Sequence, residues 1–238
     1  MQNMAKLIKF LKKIETPQLI KPQMLSPVKR TAYRYISMLK KEGRIVKVAK
    51  GIYARSDADP YYIASHIYTG YIAFASALYV SGLKTETEKI IYVAVGKNKR
   101  EIKFQDRIFK PVGMGKFFFG SIKNEKGIYL SNYPKTIFDM FHKPRYADFY
   151  SLYRALRWKP LREEEWETLA KLAKMAPLST VRRLGYGLEG KAPEWFIKQL
   201  EKLNEPRGVS FFIPHKAKNL NKKWRVYDPQ NIRRWLNE

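Results

Sequence analysis

The stretch LSPVKRTAYRYISMLKKEGRIVKVAKGIYAR, residues 25–55, most sharply limits what this chain can fold into. Ser26 stands where an N-cap belongs, Pro27 at a first helical position where its missing N–H costs nothing, and Gly43 at a C-terminal stop. That framing predicts a helix from Pro27 to Glu42. Within it Val28, Ala32, Tyr35 or Ile36, and Leu39 recur at three-to-four spacing and make one apolar face. The opposite side carries Lys29, Arg30, Tyr33, Arg34, Ser37 and Lys41, a stripe of donors and one aromatic ring with no acid in it.

After Gly43 the period changes. Arg44 to Val48 alternates as a strand does, Ala49-Lys50-Gly51 makes a turn, and Ile52-Tyr53-Ala54 returns. Upstream, Met4 to Ile14 reads as an amphipathic first helix with Leu7, Ile8, Leu11 and Ile14, and Leu19 to Met24 as a short element that Pro22 keeps irregular. Helices followed at once by a basic hairpin are the local pattern of a winged helix-turn-helix, here expected over residues 1–56. Residues 1–55 hold ten lysines and four arginines against Glu15 and Glu42, a net charge of +12. A stripe of Lys, Arg, Tyr and Ser suits a DNA major groove about 12 Å wide and flanked by phosphates. A protein-interaction domain with solvated lysines fits the same pattern, and cations settle on phosphates without reading any base.

Charge across the whole chain sets the class of partner. Lys plus Arg number 47 against 21 Asp plus Glu in 238 residues, a formal net charge of +26, which points to a polyanion: DNA, RNA or an anionic membrane surface. There is no cysteine, which excludes disulfides, thiol chemistry and cysteine-ligated metals. No run approaches 18 apolar residues, and lysines interrupt the N-terminal segment too often for a signal-peptide core, so the expected location is cytoplasmic, with no membrane partner.

A boundary is expected at Ser56-Asp57-Ala58-Asp59-Pro60. The rest, 57–238, reads as a larger mixed α/β domain, divisible into a sheet-containing part, 57–133, and a mainly helical part, 134–238; the fold class is therefore α+β. Helices are expected at Tyr61–His66, ended or interrupted at Gly70, and over Tyr71–Leu83. Strands are expected at Lys89–Val95, Glu101–Phe104, Arg107–Val112 and Gly127–Leu130, forming a small antiparallel or mixed sheet. From Pro134, at a first helical position, the chain turns helical, with later helices at Tyr146–Trp158, Arg162–Met175, Leu178–Leu188 and Pro193–Leu203. The glycine-rich run Leu184 to Gly190 reads as a helix end and turn. Val209–Ile213 and Lys222–Tyr227 are expected to add a strand pair at the domain's edge, before a last short helix near Ile232–Leu236.

Catalytic patterns are sparse. His66, His142 and His215 have no metal-ligand spacing, and Gly113 to Phe117 lacks the loop length and hydroxyl of a P-loop. A metal-dependent nuclease would draw on Glu101 and Lys103, two apart on a strand, with Glu86, Glu88 and Asp106 nearby in sequence. A charged strand edge gives the same pattern. No enzyme activity, cofactor or metal is expected.

Several short motifs, in order, resemble the antitoxin and transcriptional-regulator family of the abortive-infection AbiE systems, a type IV toxin–antitoxin class. They are Leu39-Lys40-Lys41-Glu42-Gly43-Arg44-Ile45 and Lys50-Gly51-Ile52-Tyr53, then Tyr71 to Leu78 before Gly82-Leu83, then Lys135-Thr136-Ile137-Phe138-Asp139, and Arg183-Leu184-Gly185-Tyr186. The resemblance implies an N-terminal domain that binds inverted repeats in the promoter of its own operon, and a C-terminal domain that counters a nucleotidyltransferase-like toxin. It assigns Lys29, Arg30, Tyr33, Arg34 and Ser37 to the recognition helix, Lys47 and Lys50 to the wing, and Lys135, Thr136 and Asp139 to a helix-opening motif of the second domain. Those last three also fit ordinary capping and local ion pairing. Phe74-Ala75 stands where that family often has a more polar, serine-containing lead. A basic protein that binds RNA, or any nucleic acid without sequence preference, is the remaining alternative.

Overall fold

The computed structural model describes residues 19–212, 220–228 and 231–236, and the fold is α+β, as expected. The helix expected at Met4–Ile14 and His215 lie outside the described residues. The chain divides into two units. One takes in, of the described residues, 19–71 with Glu88–Phe118 and Lys123–Tyr129; the other takes in Ile72–Thr87, Phe119–Ile122 and the chain from Leu130 onward.

The first unit opens with β1 (Leu19–Ile20), α1 (Pro22–Leu25), α2 (Lys29–Lys41), β2 (Ile45–Ala49) and β3 (Ile52–Arg55). The three strands form an antiparallel sheet with β3 in the middle. Ile20, Leu25, Ile36, Leu39, Ile45 and Tyr53 make its core, with Tyr35 packed half-buried against it. Each fully buried aliphatic side chain there contributes about 2 kcal/mol.

Helix α2 starts two residues later than the sequence pattern predicts. The Ser26 hydroxyl accepts from the Val28 N–H at 3.1 Å, and Val28 itself has extended backbone (φ −82°, ψ 110°) and is the N-cap. Pro27 therefore lies outside the helix. Val28, expected in the buried face, is 59% exposed because it precedes the first helical turn, whereas Ala32, Ile36 and Leu39 are buried as expected. The stop falls where it was expected. Gly43 takes φ +70°, and the N–H groups of Arg44 and Gly43 donate to Leu39 O and Lys40 O, both at 3.0 Å, satisfying two otherwise unpaired helix-end carbonyls.

Asp59 caps the next helix, α3 (Pro60–Tyr68), by accepting from the Tyr61 N–H at 2.8 Å. The segment Tyr71–Leu83, expected as one helix, is instead strand β4 (Tyr71–Ile72) followed by α4 (Phe74–Val80). A continuous apolar run does not distinguish a buried strand from a buried helix, and the break falls at Phe74, whose φ is +57°. Gly70 has a packing reason: a Cβ there would come within 2.4 Å of Ala94 O.

Strand β5 (Ile90–Val95) runs parallel to β7 (Arg107–Gly113), while β6 (Ile102–Phe104) is antiparallel to β7, so this sheet is mixed. Two short strands follow, β8 (Ser121–Lys123), which the sequence pattern did not indicate, and β9 (Tyr129–Ser131). Within the second unit Ile72 of β4 pairs in parallel with Leu130 of β9.

Helices dominate that second unit: α5 (Tyr133–His142), α6 (Phe149–Trp158), α7 (Glu163–Lys174), α8 (Leu178–Leu188) and α9 (Glu194–Leu203). Asn132 caps α5 by accepting from the Lys135 N–H at 3.0 Å, which puts Pro134 at the second helical position rather than the first. Residues Pro144–Tyr146 are a 3-10 turn, and Asp148 caps α6, so that helix begins three residues later than expected. Arg162 N donates to Glu165 Oε2 at 3.0 Å at the start of α7.

Helix α8 spans Leu178–Leu188 as expected, and the glycine-rich run forms its end and the turn after it; Gly185 and Gly187, inside the helix, are contact points, where a Cβ would lie 2.2 Å from Trp224 Cζ3 or 2.3 Å from Phe141 Cε1. One expectation for the C-terminal part fails. The last strands, β10 (Ser210–Phe211), β11 (Leu220–Asn221) and β12 (Val226–Tyr227), form their own three-stranded sheet rather than a pair added to an edge. The short helix expected near the end is present as a 3-10 helix, Ile232–Leu236.

Candidate nucleic-acid interface

The apolar face of α2 is committed to the core, which leaves its other side to solvent. Lys29, Arg30, Tyr33, Arg34, Ser37 and Lys41 are all exposed, and the rows Lys29, Tyr33, Ser37, Lys41 and Arg30, Arg34 each repeat at four residues, on one side of the helix. Lys47 of β2 and Lys50 of the hairpin turn are exposed as well. Gly51, at φ +69°, forms the turn beside Lys50, and Gly51, Lys29 and Tyr33 share one cleft, so the hairpin tip adjoins the start of the stripe.

The electrostatics of this surface are one-sided. None of its six cations takes part in an ion pair among the described residues, whereas Arg44 at the far end of α2 pairs with Glu42 at 3.1 Å and Arg55 with Asp57 at 2.6 Å. The first turn of α2 contains no acid. Cations held near one another without carboxylates repel, and a polyanion relieves that repulsion.

The second predicted group has the opposite character. Lys135 and Asp139 are 1% and 0% exposed and form an ion pair across one turn of α5. Burial pushes the Lys135 ammonium below its usual range, and the Asp139 carboxylate partly offsets that shift. The ammonium lies 5.3 Å from the Phe138 ring centre and 5.5 Å from that of Phe119. Gly120, at φ +79°, lies over the lysine stem, where a Cβ would contact it at 3.4 Å. Thr136 Oγ1 is 2.7 Å from Ser131 Oγ and donates to Asn132 O at 3.0 Å. Thr136 thus fastens the entry of α5 to the strand before it, while Lys135 and Asp139 pair within the helix.

The Arg183 to Tyr186 motif also serves packing. Arg183 Nε donates to Phe211 O at 2.7 Å, and burial pulls its guanidinium down to about 10; Tyr186 Oη donates to Asp228 at 3.0 Å. Pattern reading missed its neighbour Arg182, which is 2% exposed and donates to Asn204 Oδ1, Ser210 Oγ and the carbonyls of Glu205 and Arg207. Nothing local in the sequence marks it, because its acceptors lie 22 to 28 residues away. Asn132 had a readable signal, an Asx residue directly before an apolar-periodic segment.

The carboxylates considered for a nuclease are each placed in other surroundings. Glu86 pairs with Arg154 at 3.2 Å, Asp106 with Arg107 at 3.4 Å, and Glu101 and Lys103 are exposed. Glu88 is half-buried two residues before β5. Among the described residues no three His, Cys, Asp or Glu side chains are grouped to hold a metal ion. His66 stacks on Tyr62 at 3.9 Å, and His142 Nδ1 is 3.0 Å from Thr180 Oγ1. No helix among the described residues is long and apolar enough to cross a membrane.

No family model matches the chain, and no curated protein matches it. Among solved structures it is similar to the crystal structure of the RV2827C protein from Mycobacterium tuberculosis, at a TM-score of 0.68 and 15% sequence identity, covering 98% of this chain and 94% of that one. The fold is shared. At that identity the likeness concerns chain path alone.

Proposed function

We propose that the chain is a DNA-binding transcriptional regulator. The observation that carries this reading is the outward face of α2, where Lys29, Arg30, Arg34 and Lys41 stand exposed, without carboxylate partners among the described residues, beside Lys47 and Lys50 of the hairpin. In this reading residues 1–56 act as a winged helix whose α2 enters the major groove while the hairpin tip rests on phosphate. The resemblance to the AbiE regulators supplies the biological setting: a cytoplasmic repressor of its own operon that binds an inverted repeat, acts as antitoxin to a nucleotidyltransferase-like toxin, and performs no catalysis.

Fluorescence anisotropy with duplex DNA from upstream of the coding sequence, against shuffled DNA of equal length, tests it. The expected result is a preference for the native duplex, with binding to both duplexes weakened by Arg30→Ala/Arg34→Ala. Equal binding to both duplexes, with tighter binding to RNA, would replace the repressor with a general RNA-binding protein.

A further inference from the structure

Tyr33 is the one member of the α2 stripe with no role on phosphate that its neighbours do not fill better. It stands between Lys29 and Ser37 at four-residue intervals, so that all three lie along one ridge of the helix. Its side chain is 45% exposed and makes no hydrogen bond or ring contact among the described residues. Beside the ring lies a cleft of ≈ 340 Å³ of mixed character, lined by Pro22, Pro27, Ala32 and Gly51 together with Gln23, Ser26 and Lys29. A large ring left in solvent and framed by cations is well matched to an apolar group carried on a polyanion.

Major-groove edges offer one such group. Of the four bases only thymine presents a methyl there, at C5, while the other edges are donors and acceptors. Resting on the DNA-binding reading of α2, we propose that the exposed ring of Tyr33 is the specificity-determining contact of this surface and takes the C5 methyl of a thymine. Lys29, Arg30, Arg34 and Lys50 hold the flanking phosphates and fix the register in which the ring meets that base. The ligand class is thus duplex DNA with thymine at a fixed place in each half-site, and 5-methylcytosine there supplies the same methyl.

The test uses the full-length protein and its own upstream duplex, made once with thymine and once with deoxyuridine at every thymine, at one salt concentration. Wild type is expected to bind the deoxyuridine duplex about tenfold more weakly, the size of a lost methyl contact. Tyr33→Ala is expected to bind both duplexes within about twofold of each other, and Tyr33→Phe, which keeps the ring, to retain the discrimination. Equal wild-type binding to the two duplexes, with native still preferred over shuffled DNA, would overturn methyl recognition and leave the DNA-binding reading standing. A tenfold loss that persists undiminished in Tyr33→Ala would overturn it by placing methyl recognition on another residue. Equal binding to native and shuffled DNA would remove both proposals.

Discussion

Helices α2 and α5 both carry lysine in their first turn and put it to opposite uses. On α2, Lys29 and Arg30 are exposed, and neither has a carboxylate partner among the described residues; on α5, Lys135 is buried against Asp139 with aromatic rings around it. The difference begins in the apolar pattern. Helix α2 buries only the narrow line of Ala32, Ile36 and Leu39, while α5 buries every residue from Tyr133 to Phe141. A cation on a helix with one buried face reaches solvent; on a helix buried all round it must be neutralised internally. The same residue type therefore faces solvent in one unit and makes an internal fastening in the other.

Removing the buried carboxylate breaks that contrast most severely. Asp139→Ala leaves the Lys135 charge without the group that offsets its burial, at an expected cost of about 3–5 kcal/mol and a fall in Tm of about 10 °C. Replacing both by apolar residues, Lys135→Met/Asp139→Leu, should restore most of it, which calorimetry would show; a double variant as unstable as the single one would assign the pair a further role. Gly185→Ala should come next, at about 1–3 kcal/mol, because its methyl meets the Trp224 ring. Denaturant titration with near-ultraviolet dichroism would read both the loss and the shifted tryptophan.

A smaller effect concerns Asp148. Burial pushes its carboxyl up, but Lys84 at 2.8 Å and hydrogen bonds from Ser151 outweigh that and hold it below the usual range. Its folded pKa is thus lower than its unfolded one, so its contribution to stability is complete above about pH 4 and is lost as pH falls through the folded value. Melting curves from pH 5 to pH 2 should be less steep in Lys84→Met than in wild type. The smallest expected change is in the stability of Arg30→Ala/Arg34→Ala, within about 0.5 kcal/mol of wild type, since neither side chain is buried. A larger loss would mean that the stripe helps hold the fold.

The sequence made the α2 stripe legible because solvent exposure follows directly from helical period, and all eight residues expected at this surface are exposed. It placed the Gly43 stop for the same local reason. What it misread depended on distant partners or on ambiguity of period. Tyr71–Leu83 is apolar at nearly every position, so no alternation separated β4 from α4. The extent of α8 was readable but the reason for its glycines was not, since the large side chains that require them, Trp224 and Phe141, stand 39 and 46 residues away in sequence. The buried state of Lys135 and Asp139 was equally hidden, because i,i+4 spacing is the same for a solvated pair and a buried one.

The most direct test of the account is the salt dependence of binding to the upstream duplex, wild type beside Arg30→Ala/Arg34→Ala. If α2 lies in the groove with its arginines on phosphate, wild type should lose affinity linearly in log salt, and the double variant's slope should be shallower by about 2, one for each cation removed. An unchanged slope in the double variant would contradict the account by showing that the polyanion is held elsewhere on the chain.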